Sequence, residues 1–187
     1  RKDAIFRKGH VVTKEDIPVL LSVGKDQLYV WEKEEGMLHE NEAAEILCGL
    51  CQGEHMERSE VKEGKIELRA ACDGLLKVQS QALKAVNGFG QMMIASRHGN
   101  FPVKKGDKLA GTRIIPLIIE EEKMRAAKEA ALAAAGGRPL LELKPFSHKK
   151  VGIVTTGNEV YYGRIQDTFT PVIEEKLKEF DTEIIGH

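Results

Sequence analysis

Val151-Gly152-Ile153-Val154-Thr155-Thr156-Gly157-Asn158-Glu159-Val160, followed by Gly163-Arg164-Ile165-Gln166-Asp167, is the stretch on which the reading of this chain turns. Residues 151–155 are apolar almost throughout, the pattern of a strand buried on both faces. Residues 156–167 contain two glycines and read as a loop. Residues 168–179 read as a helix that tolerates Pro171 in its first turn. Phe169, Val172, Ile173, Leu177 and Phe180 give that helix one apolar stripe. Residues 182–185 form the next strand, which completes a βαβ unit, the building block of a parallel sheet.

Open α/β sheets bind ligands at the carboxyl ends of their strands, where residues 155–167 fall. Gly157 lets the backbone come close to a ligand. Thr155, Thr156 and Asn158 offer hydrogen-bonding side chains suited to a polar heterocycle. The N–H groups at the helix start near Thr168 suit an anion such as phosphate. Asp167 either caps that helix or accepts a donor from the ligand. On the residues alone, a ligand site and ordinary turn chemistry both remain open.

Outward from this segment, residues 120–135 make the clearest helix. Glutamates open it, alanine dominates its body, and Gly136, Gly137 and Pro139 close it. Its position suggests a bridge between two structural units. Residues 66–71, 75–78, 92–95 and 114–119 are short apolar runs bounded by turn residues, which predicts a small β barrel or sandwich. Residues 80–86 suit a turn or two of helix, and residues 140–143 a short strand. Near the start, Thr13 and Asp16 mark a helix over residues 14–23, and residues 27–31 read as a strand. Residues 40–52 form an amphipathic helix with Ala43, Ala44, Leu47, Leu50 and Cys51 on one face.

The expected organisation is an α+β unit with a β-rich core over residues 1–147, then the opening of a three-layer parallel α/β domain from residue 148. A single βαβ unit cannot bury both faces of its sheet. The chain begins at Arg1 and stops at His187 directly after an expected strand, so both ends read as cut from a longer protein.

Composition removes several function classes. The 187 residues carry a formal charge of −1, which gives no footprint for nucleic acid. Apolar residues make up 42%, enough for a core, but no run is long enough to span a bilayer. Three cysteines do not make a disulfide framework, and a reducing cytoplasm is the natural setting. Cys48 and Cys51, with His39, His55 and Cys72 near in sequence, invite a metal, but their helical context favours core packing. The residues His39 to Glu42 read as a helix cap rather than a polar site. Residues 96–100 read as a solvated turn, and Met92 and Met93 as core.

The strand, the Thr156-Gly157-Asn158-Glu159 loop, the Gly163-x-Ile165-x-Asp167 run and a helix with an early proline resemble the first β–loop–α–β unit of the molybdopterin-binding domain. That domain occurs in molybdopterin adenylyltransferases, molybdopterin molybdenumtransferases and gephyrin. The resemblance implies binding of a pterin with a terminal phosphate, with Thr155, Thr156, Gly157, Asn158 and Glu159 lining the pterin cleft. Gly163, Ile165 and Asp167 would shape its wall. It implies a role in molybdenum cofactor biosynthesis, namely molybdate insertion into molybdopterin by the longer protein. That step calls on a divalent metal such as Mg2+ to manage phosphate charge. The acidic catalytic residues and the Gly-Gly-Thr-Gly loop of the family fall beyond His187, so this chain alone is expected to be inactive. The alternatives are a non-catalytic module that carries or senses the cofactor, and an N-terminal unit that drives homo-oligomerisation. Residues 7–17, with Leu20 to Gly24 after them, resemble the linker that precedes this domain in the molybdenumtransferases, although here about 120 residues intervene.

Overall fold

The computed structural model describes residues 5–6, 12–27 and 34–187. The chain divides into two compact units, residues 1–34 and residues 35–187. In the first, a 3-10 turn over Lys14–Asp16 leads into helix α1 (Ile17–Ser22). The Thr13 N–H and hydroxyl both donate to Asp16 Oδ2, at 2.8 and 3.0 Å. The helix expected over residues 14–23 is therefore a tight turn followed by a short α-helix. Pro18 sits at its start, where a missing N–H costs nothing. The strand expected at residues 27–31 lies, beyond Gln27, outside the described residues.

The second unit opens with strand β1 (Met37–His39) and helix α2 (Glu40–Cys51). His39 Nδ1 accepts from the Asn41 N–H at 3.2 Å, and the Glu42 carboxylate accepts the His39 N–H at 3.0 Å. These reciprocal bonds fix the helix start, as the sequence predicts. Helix α2 buries Cys48 and Cys51 together with Leu47 and Leu50. Burial pushes both thiols above their ordinary range, with Cys48 adding to the effect on Cys51, so both remain uncharged core groups.

Strands β2 (Met56–Arg58), β3 (Lys65–Ala70) and β4 (Gly74–Val78) follow, then helix α3 (Ser80–Asn87). Next come β5 (Met92–Ser96), β6 (Phe101–Val103), β7 (Lys108–Ile114) and β8 (Ile118–Glu120). Helix α4 (Glu121–Ala135) and strand β9 (Leu141–Pro145) complete this part. The strands make two antiparallel sheets, ordered β2-β3-β7-β5 and β6-β4-β9, beside a β1-β8 pair. The single strand expected over residues 114–119 is two strands, because Pro116 between them has no ladder donor.

Alternation decides which residues enter the core. In β3, Ile66, Leu68 and Ala70 point inward while Lys65 and Arg69 are exposed. In β5, Met92 is buried but Met93 is 44% exposed, so only one of the two methionines is core. Helix α4 is not the bridge that its composition suggests. Met124, Ala127, Ala131 and Ala135 recur on one face and are buried, and the helix packs on α2 and α3. Small side chains let these helices approach closely beneath the sheets, in one continuous hydrophobic cluster. Gly136, at φ 61°, supplies the left-handed stop.

Strand β5 lies at the edge of its sheet. The side-chain amide of Asn87 covers it: Asn87 Nδ2 donates to the Ile94 carbonyl at 3.0 Å, and the Ile94 N–H donates to Asn87 Oδ1 at 2.8 Å. Asn87→Ala should lower unfolding free energy by about 1 kcal/mol, measured by chemical denaturation with an unchanged denaturant slope.

The last part holds strand β10 (Lys149–Gly152), helices α5 (Asn158–Tyr161) and α6 (Phe169–Leu177), and strand β11 (Thr182–Gly186). Strands β10 and β11 pair in parallel, from Lys149 opposite Thr182 to Gly152 opposite Gly186. This is the one parallel pairing among the described strands. With a register shift after Val151, the strand begins two residues before and ends three residues before the expected span of 151–155. Ile153 still reaches across, its N–H donating to the Gly186 carbonyl at 3.0 Å. The strand is not buried on both faces: within residues 148–187, Ile153 alone is buried. The stripe on α6 divides likewise, with Ile173 and Leu177 half-buried and Phe169 and Val172 exposed. At the base of the sheet His148 Nδ1 lies 3.0 Å from Asp181 Oδ1, joining the two strand starts.

Candidate functional site

The segment between β10 and α6 builds a cleft by local chemistry. Gly157 adopts φ 138° and ψ 123°, which turns the chain sharply into the one-turn helix α5. The Glu159 carbonyl then accepts the N–H groups of Arg164 and Ile165 at 2.8 and 3.2 Å, with Gly163 directly before them at φ 67°. These bonds fold residues 157–165 into a compact wall. Helix α5 inside this loop was invisible as a period because it is four residues long.

The resulting cleft measures about 350 Å³ and opens beyond the carboxyl end of β10. That size lies within the usual range for small-molecule sites. Ile153, Val160, Ile165, Phe169 and Ile173 form its apolar walls. Thr155, Thr156, Thr168 and Thr170 place hydroxyls at its rim, beside Gln166 and Asp167. Of the residues expected to bind, Thr155, Thr156, Ile165 and Asp167 line the space. Gly157, Asn158, Glu159 and Gly163 instead shape the loop behind it.

Asp167 organises this rim. Its Oδ1 accepts the N–H groups of Phe169 and Thr170 at 2.9 and 3.1 Å. Its Oδ2 accepts the Thr170 hydroxyl and lies 3.2 Å from Thr155 Oγ1. Asp167 is thus the side-chain cap of α6, and it ties that helix to the loop leaving β10. The N–H groups expected to hold an anion near Thr168 are occupied by this carboxylate. The Thr170 hydroxyl, then the Thr170 and Phe169 N–H groups and the Thr155 hydroxyl, hold the Asp167 carboxyl down at about 2.

The folded value lies below the ordinary 3.8, so the cap acts fully above 3.8 and is lost as pH falls from there through about 2. Protection of the Phe169 and Thr170 amides against hydrogen exchange should fall across that window. Asp167→Asn should remove this acid step at both amides.

Sequence reasoning missed Phe169 and Thr170 as cleft residues. Asp167 is read from the sequence as a candidate cap of this helix, and the signal for Thr170 lies in its position three residues after that cap. The metal-like set near Cys48 does not assemble, because Cys48 and Cys51 are enclosed in the core of α2 while His55 is exposed. Among the described residues, no helix is long and apolar enough to cross a membrane.

Comparison with known proteins reaches only the other end of the chain. A family model described as a domain of unknown function (DUF8806) matches residues 1–32. That match includes the Thr13 cap and α1. No curated protein matches the chain, and no solved structure does.

Proposed function

We propose that residues 148–187 are the first βαβ unit of a three-layer molybdopterin-binding domain, and that the protein handles the molybdenum cofactor. The observation that carries this is the cleft itself: Thr155, Thr156, Ile165 and Asp167 surround one concavity at the carboxyl end of a parallel strand pair. Apolar walls with a hydroxyl rim suit a flat heterocycle that must be both stacked and hydrogen-bonded. In the longer protein the corresponding reaction is insertion of molybdate into molybdopterin.

Within this chain the cleft binds rather than reacts. Asp167 is the one ionisable carboxylate lining it, and that group is committed to the α6 cap. A carrier or sensor of the finished cofactor is therefore the second reading, favoured by this lack of a free acid or base in the cleft. Asp167, the carboxylate of the cleft, is engaged by its own helix start, so a Mg2+ ion that manages phosphate charge would draw its ligands from elsewhere in the longer protein.

Titration of the 187-residue chain with molybdopterin, followed by fluorescence, tests the proposal. Saturable binding that weakens in Thr155→Val is the expected result. Absence of saturable binding to the wild type would overturn it.

A further inference from the structure

The direction of the hydrogen bonds at the rim tells which kind of group the cleft accepts. Thr170 donates its hydroxyl proton to Asp167 Oδ2. Thr155 Oγ1 lies 3.2 Å from that same oxygen and 3.0 Å from Thr170 Oγ1. A hydroxyl has one proton, and that of Thr170 is already placed. The Thr155 proton therefore points at Asp167 or at Thr170, inward in either case. Neither threonine then has a hydroxyl proton left for a ligand, whereas each keeps at least one acceptor lone pair.

The backbone donors are committed as well. Asp167 Oδ1 accepts the N–H groups of Phe169 and Thr170, and Oδ2 faces the two hydroxyls, which fills the acceptor positions of a carboxylate. A helix start usually attracts anions through its N–H groups. Here a fixed negative charge already occupies that place. None of the residues lining the cleft is Lys, Arg or His. Arg164 lies over the Tyr162 ring, 5.5 Å from its centroid, and is not among the lining residues. Thr156, Gln166 and Thr168 can donate or accept, but none carries charge.

Building on the ring-binding reading above, we infer that the cleft reads the hydrogen-bond donors of a flat, uncharged heterocycle at Thr155 and Thr170 and turns phosphate away. A phosphate carried close to the ring therefore weakens binding. Like charges about 4 Å apart in water repel by an amount equivalent to roughly a fivefold change in binding, so exclusion of an anion should be measurable.

The test uses NMR of the whole chain titrated with inorganic phosphate at constant ionic strength. In the wild type the Phe169 and Thr170 amides should show no saturable shift. In Asp167→Ala, where the carboxylate is gone, both should shift saturably. Asp167→Asn keeps an acceptor for the two N–H groups, should remain silent, and guards against loss of folding in the alanine variant. A saturable shift in the wild type overturns the inference. A second arm compares 6-hydroxymethylpterin with its phosphate monoester, where the uncharged form should bind about fivefold tighter or more. Equal or tighter binding of the ester also overturns it. If neither pterin binds while the phosphate arm behaves as expected, the pterin reading fails and the anion exclusion stands.

Discussion

Gly157→Val should weaken the proposed pterin binding by tenfold or more while leaving the thermal midpoint of the β-rich part nearly unchanged. The cause is backbone conformation. Gly157 sits at φ 138° and ψ 123°, a region that L side chains rarely adopt. Holding a non-glycine residue in such a region costs of order 1–3 kcal/mol, and tenfold in affinity is about 1.4 kcal/mol. A Cβ there would also meet Glu159 Oε1 at 2.8 Å, but that carboxylate can swing aside. Backbone strain therefore decides, and Gly157→Ala should do nearly as much harm as valine. Gly163 is the contrast. Its φ of 67° lies in the ordinary left-handed region and nothing stands within 4 Å of its Cβ position, so Gly163→Asn should be mild. Isothermal titration of the three variants separates these outcomes. Equal affinity of Gly157→Val and wild type would show that the turn does not shape the cleft.

Leu76→Ala should lower the unfolding free energy by about 2–5 kcal/mol. Leu76 is fully buried in β4, the central strand of its sheet, with partners on both sides at Phe101 and Leu143. Truncation removes apolar contacts and leaves a cavity that a strand held on both edges cannot collapse around. Domains are typically stable by only about 5–15 kcal/mol, so this one change takes a large share of the total. Urea denaturation followed by circular dichroism measures it. A loss under 1 kcal/mol would mean that the two sheets and three helices do not share one tightly filled interior.

The longer elements were legible because they repeat. The three-to-four spacing in residues 40–52 runs through enough turns to declare a face, and the apolar run at residues 66–71 is marked off by its bounding turn residues. Strands β1, β2 and β6 are three residues each, too short to show any period, and all three escaped. Helix α4 was legible as a helix but misplaced. Alanine is weakly apolar, so its buried face looked like a connector, although Met124, Ala127, Ala131 and Ala135 already marked one side. At the cleft, Thr155 and Asp167 could be chosen from the order of strand, loop and helix. Their meeting across twelve positions could not, because it depends on how α5 folds the intervening loop. The anion seat near Thr168 failed for a related reason. A helix start invites an anion only when its own chain does not supply one.

The amide of Asn87 reaches beyond the stability of its own sheet. It occupies the outward N–H and carbonyl of Ile94, the middle residue of the edge strand β5. A strand from a second molecule seeking to extend the sheet there finds its two central hydrogen-bonding positions already taken. Addition of a strand to the sheet at β5 must therefore first displace this side chain.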